Sequence, residues 1–309
     1  MDVLNLLNKM KKSILFLIFN RPDTTKQVFE AIREYRPKQL FIAADGARNE
    51  KELKLCNETR DIVKNIDWDC KVETLFREEN LGCRNAVSSA IDWFFENVEN
   101  GIILEDDCLP NQSFFRFCED MLDKYKSNEQ IMHITGTNKQ LDKTIGDGDY
   151  YFSKMVHVWG WATWKRAWLK NNKVINHIDK NCIKDTFHDK KNIKYWIKIL
   201  KLVKQNYINS WAYIWVYYIW LNNGLAIIPN KNLIENIGYD EDATHTKKID
   251  KKMLINQEKQ KNKKINFNEI KHPKLIERAY KADLFEQNFY KASLVEKILL
   301  RIPFIRKKI

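Results

Sequence analysis

The chain has 309 residues, 44% of them hydrophobic and 12% aromatic, enough apolar material for a sizeable core, which excludes an intrinsically disordered protein. Its 53 Lys and Arg against 41 Asp and Glu give a formal charge of +12, which suits an anionic partner such as nucleic acid, phospholipid or a phosphate-bearing small molecule. The apolar run over 14–19 falls far short of the roughly 18 residues needed to cross a bilayer, and six cysteines without a C-x-x-C pair read as reduced thiols, so a cytoplasmic chain is expected.

In chain order, short apolar runs alternate with amphipathic stretches. Strands are predicted over 14–19, 39–44, 71–76, 101–104 and 131–135, with helices over 23–35, 50–65, 85–97 and 113–125. Asp23 is the expected N-cap of the first helix, and Asn111 or Ser113 that of the last. This alternation predicts an α/β fold with a mostly parallel sheet flanked by helices. From Tyr150 the composition becomes aromatic-rich, first in Trp159-Gly160-Trp161-Ala162-Thr163-Trp164 and then between Trp211 and Trp220, which reads as a second lobe. A Lys- and Asn-rich stretch over 247–264 follows, and the end of the chain mixes apolar residues with Lys297, Arg301 and Arg306. The expected division is 1–149, 150–246 and a basic extension over 247–309.

In such a sheet, ligands bind beyond the carboxyl ends of the strands. Those ends are polar here: Asn20-Arg21, Asp45-Gly46, Arg77 with Asn80-Leu81-Gly82, and Glu105-Asp106-Asp107. Strand alternation predicts that Glu105 and Asp107 face one way and Asp106 the other. Three carboxylates at the end of an apolar strand raise one another's pKa unless a cation stands nearby. Mn²⁺ or Mg²⁺ answers that need, taking hard oxygen ligands from one or two carboxylates and completing its shell with water and phosphate.

The run Ile102-Ile103-Leu104-Glu105-Asp106-Asp107, followed by Pro110 and Phe114-Phe115-Arg116-Phe117, resembles the acidic motif of N-acetylglucosaminyltransferase I and its GT-A fold relatives. Asn20-Arg21-Pro22 and Ala44-Asp45-Gly46 are similar to the ends of that family's first two strands. Through Asn236-Ile237-Gly238 to Ala243-Thr244-His245-Thr246, the chain resembles bacterial nucleotide-diphospho-sugar transferases of surface-glycan loci. The resemblance implies a GT-A type sheet with an aromatic-rich acceptor side, and transfer of a sugar from a UDP-sugar, such as UDP-N-acetylglucosamine, to a hydroxyl. The acceptor implied is an oligosaccharide or a lipid-linked glycan.

By that resemblance Asp107 is the metal ligand, Glu105 and Asp106 reach the sugar or ribose, Asp45 accepts the uracil imide proton, and Arg21 contacts the nucleotide. Arg84 is an added candidate for the diphosphate, and His245 for a second metal ligand. Relatives carry the catalytic base near the start of a late helix, where this chain has Ser210-Trp211-Ala212-Tyr213. Ala212 cannot take a proton, so Glu241 and Asp242 become the candidates for the base. Trp159-Gly160-Trp161 is the candidate sugar wall, with Trp161 as its site residue, whereas the other tryptophans at helical spacing read as core.

The runner-up is a nucleotide-sugar-forming nucleotidyltransferase, which would carry a Gly-rich basic loop after the first strand where this chain has Asn20-Arg21-Pro22-Asp23. An inactive glycan- or membrane-binding protein is the third reading. The basic extension suits an anionic membrane surface and a peripheral place on the inner face of the cell membrane. Without a helix-turn-helix, zinc module or aromatic sheet motif, nucleic acid is not expected as a partner.

Overall fold

The structure, a computed structural model, describes residues 11–141, 143–238 and 269–289. Strands β1 (Ile14–Ile18), β2 (Gln39–Ala44), β3 (Lys71–Phe76) and β4 (Asn100–Glu105) alternate with helices α1 (Pro22–Tyr35), α2 (Glu50–Ile62) and α3 (Gly82–Asn97). There follow β5 (Cys108–Pro110), α4 (Gln112–Lys124), β6 (Ile131–Thr135), β7 (Tyr150–Ser153), β8 (Trp161–Trp164) and α5 (Lys165–Trp168). Next come α6 (Lys180–Thr186), α7 (Lys190–Lys204), α8 (Ala212–Leu221), β9 (Leu225–Pro229), β10 (Ile234–Asn236) and α9 (Tyr280–Phe289).

Eight strands form one mixed sheet in the order β3-β2-β1-β4-β8-β6-β9-β7, and β10 pairs with β5 in a separate ribbon. The pairs β3–β2, β2–β1, β1–β4 and β6–β9 are parallel, whereas β8 runs antiparallel to both its neighbours and β7 to β9. The expected α/β class with a mostly parallel sheet is therefore present. Because β8 sits between β4 and β6, strands from 150–246 are interleaved with those from 1–149 in a single sheet.

Every residue of β1 is buried, as a central parallel strand covered on both faces must be. Ile14, Phe16 and Ile18 meet α1 and α4, while Leu15 and Leu17 join α3, Trp161, Trp211 and Trp215 on the opposite face. The aromatic run from 212 onward becomes α8, apolar all round and buried from Ile214 to Trp220. It contributes Trp215 and Ile219 to one core cluster and Ile214, Tyr217 and Trp220 to another formed with α6 and α7.

Element ends differ from expectation where capping decides them. Proline 22 occupies the first turn of α1, so Arg21 takes the cap position without a side-chain cap and Asp23 lies inside the first turn. Helix α3 starts at Gly82, three residues early, because the side chain of Asp45 receives amides of its first turn. Asn111 caps α4 as expected, accepting from the amide of Phe114 at 3.1 Å.

Candidate functional site

Strand order reverses between β1 and β4, and beyond their carboxyl ends lies a cavity of about 550 Å³ lined by Phe19, Arg21, Asp45, Glu105, Asp106, Asp107 and other residues. Glu105 is the last residue of β4, and Asp106 and Asp107 turn toward β5. Strand alternation therefore stops at Glu105, and all three acids line the same cavity rather than opposite faces. The Asp106 Oδ2 accepts the amide of Phe19 at 3.0 Å, tying the turn to the end of β1. Asp107 Oδ2 accepts Nη1 of Arg21 at 3.0 Å, and its carbonyl accepts the amide of Ile237 at 2.8 Å. Burial, then repulsion from Asp107, pushes the carboxyls of Glu105 and Asp106 above the usual range, and Arg21 partly offsets this.

These side chains offer hard oxygen donors, and the Arg21 guanidinium already stands on Asp107 as a resident cation. Among the described residues no three His, Cys, Asp or Glu side chains converge to hold a metal. An ion there would have one or two of these carboxylates to hold it, with water and phosphate to complete its shell. His245, Glu241 and Asp242 lie outside the described residues. Gly238, just before that stretch, closes over the Arg21–Asp107 pair so tightly that a Cβ there would collide with both side chains.

Asp45 lines the cavity but already has work: its Oδ1 accepts the amide of Leu81 at 2.9 Å and its Oδ2 that of Gly82 at 3.0 Å. Each oxygen keeps a second lone pair. Arg84 is a correction. Its guanidinium donates to Asn206 Oδ1 at 2.7 Å and to the Lys173 carbonyl at 3.0 Å, which turns it out of the cavity to fasten α3 to neighbouring loops. The cations lining the cavity with Arg21 are Arg77, which donates to Ser89 Oγ at 2.8 Å, and Arg48, which lies 5.5 Å over the Phe19 ring and pairs with Glu52. Arg77 is legible as the residue after β3, but nothing in the sequence singles out Arg48.

Trp161 is a second correction. It is fully buried, stacked on His133 at 5.1 Å and Trp211 at 5.5 Å, and it does not line the cavity. An inward-facing position on a strand between β4 and β6 leaves it no route to a ligand. Its neighbour Gly160 has φ +57 and packs against Ile234, not against open space. The indoles on the cavity wall are Trp159 and Trp211. The segment Ser210 to Tyr213 at the start of α8, with Ala212, also lines the cavity.

No family model matches the chain, and no curated protein does. Among solved structures the chain is similar to 4-diphosphocytidyl-2C-methyl-D-erythritol synthase from Anaerococcus prevotii, at 8% identity and a TM-score of 0.34, over 60% of this chain and 96% of that one. So slight a likeness carries nothing beyond the α/β architecture already described.

Proposed function

We propose that this chain is a glycosyltransferase of GT-A type that binds a nucleoside-diphosphate sugar, UDP-linked by its resemblance, in the cavity beyond β1 and β4. The observation that carries this reading is the acidic turn Glu105-Asp106-Asp107 at the strand-order reversal, paired with Arg21 at 3.0 Å on the wall of a cavity of about 550 Å³. A divalent ion bound at Asp107 would neutralise charge building on a departing diphosphate. Arg21 supplies a guanidinium for phosphate oxygens, Glu105 and Asp106 offer acceptors to sugar or ribose hydroxyls, and Asp45 offers its remaining lone pairs to the base. Trp159, half-buried on the cavity wall, offers an indole suited to pyranose stacking. The proton of the acceptor hydroxyl is assigned to Glu241 or Asp242, since Ala212 has no basic group.

Two features speak against a nucleotidyltransferase. Pro22 removes an amide from the first turn of α1, where a phosphate-cradling loop would need one. The start of α3 is closed as well, because Asp45 takes the amides of Leu81 and Gly82 and Asn209 takes that of Arg84 at 3.2 Å.

Titration of UDP with and without Mn²⁺ tests the proposal. Binding should require the metal and fall at least about tenfold in Asp107→Ala, equivalent to a loss of one charge-assisted contact. Metal-independent binding that Asp107→Ala leaves intact would sink it.

A further inference from the structure

Charge is distributed unevenly along the chain. Residues 1–164 hold 22 Lys and Arg against 27 Asp and Glu, whereas residues 165–204 hold 12 against 3. That short basic stretch comprises α5, α6 and α7, and nine of its twelve cations fall from Lys173 onward. Lys191, Lys194, Lys198, Lys201 and Lys204 recur at intervals of three and four along α7, which puts them on one stripe of the helix. The opposite stripe, with Ile199, Leu200 and Val203, is buried against α8 and its neighbours. Lys180, Lys184, Lys190, Lys191, Lys194 and Lys201 are exposed and have no carboxylate partner among the described residues.

This stripe runs into the rim of the cavity. The Arg84 guanidinium joins Asn206 to the carbonyl of Lys173, its amide reaches Asn209, Lys204 Nζ donates to the carbonyl of Asn176, and Tyr218 Oη donates to that of Val174 at 2.8 Å. Those bonds hold the start of α3 and the turns over 173–176 and 204–209 together as one rim beside Ile208 and Ser210 of the cavity wall. Three large apolar side chains stand out from it: Leu81 at 39% exposure, Val174 at 47% and Tyr207 at 55%.

We propose that this rim, with the lysine stripe of α7, is a docking face for an anionic lipid surface. Lysines beside exposed apolar side chains suit diffuse attraction to headgroups together with shallow insertion of Leu81, Val174 and Tyr207. Nucleic acid fits less well: the stretch has eleven lysines and one arginine, and bidentate phosphate recognition favours arginine. The cavity opens beside the same rim, so a lipid-linked acceptor would meet it without leaving the bilayer surface; that corollary rests on the transferase reading, while the docking face does not.

Flotation of the full chain with phosphatidylcholine vesicles, with and without phosphatidylglycerol, tests the face. The wild type should float with phosphatidylglycerol only, and the triple variant Lys191→Glu, Lys194→Glu, Lys201→Glu should partition at least about 100-fold more weakly. Val174→Ser with Tyr207→Ser should weaken partition about tenfold at unchanged charge. Both variants should keep the wild-type affinity for UDP, which separates loss of the face from loss of the fold and from failure of the transferase reading. A wild type that stays with the soluble fraction, or variants that float as it does, would overturn the proposal. So would a duplex oligonucleotide that binds more tightly than the vesicles and is released by the same lysine reversals.

Discussion

At the scale of single residues, the Arg21–Asp107 pair and the glycine that covers it stand together on the cavity wall. Gly238 has no room for a Cβ without displacing Asp107 or Arg21, so Gly238→Ala should weaken UDP binding at least about tenfold while leaving the thermal midpoint within a few degrees. Calorimetric titration beside a melting curve checks both halves. His133 carries a different consequence. It is fully buried, its Nε2–H donates to the His157 carbonyl at 2.8 Å, and its Nδ1 accepts the indole N–H of Trp215 at 3.2 Å, so the ring is neutral and its pKa is lowered by burial to about 3. The unfolded chain takes up a proton there near pH 6.5 and the folded chain does not. Stability contributed by this histidine is therefore full above that value and drains as pH falls toward about 3, by about 2 kcal/mol between pH 7 and pH 5. Urea denaturation at both pH values should show that loss in the wild type and a smaller one in His133→Gln.

At the scale of elements, helix α9 is fastened to the sheet by polar groups beside the apolar contact of Ala282. Asp283 accepts from Ser153 Oγ at 2.5 Å, from the Lys154 amide at 3.2 Å and from Arg278 Nε at 2.6 Å, and Glu286 pairs with His157 Nε2 at 3.1 Å. Asp283→Ala would strand three donors, one of them charged, at a cost of about 3 kcal/mol, read as a lower urea midpoint and faster proteolysis between 269 and 289. Helix α8 shows the opposite design. Trp215 belongs to a cluster with Trp161, Trp168 and His133, so Trp161→Ala should destabilise by about 3 to 5 kcal/mol with little effect on UDP affinity in whatever folds. Trp211→Ala, whose ring touches both the cluster and the cavity, should affect stability and binding together.

For the molecule as a whole, the parallel strands, their polar ends and the acidic turn were legible because each is local. Apolar runs of five or six residues make buried strands wherever helices can cover both faces, and polar residues directly after them mark the ligand edge. Among the described residues, no helix is long and apolar enough to cross a membrane, in keeping with the short runs of the sequence. The six cysteines are unpaired, as their spacing suggested. What the sequence could not supply depends on contacts between distant segments. Trp161 lies on β8 and Trp159 in the bend before it, across Gly160 at φ +57, so one is core and the other cavity wall. Arg84 and Arg77 are both plausible phosphate ligands by type, but Asn206 and Lys173, about a hundred residues away, claim the first. Asp45 became a helix cap through amides 36 and 37 positions downstream. The sequence by itself determined the α/β class and the acidic turn after a buried strand. Only the tertiary structure decided which charged and aromatic groups face the cavity, because a side chain's direction follows from strand register and from the partners that reach it first.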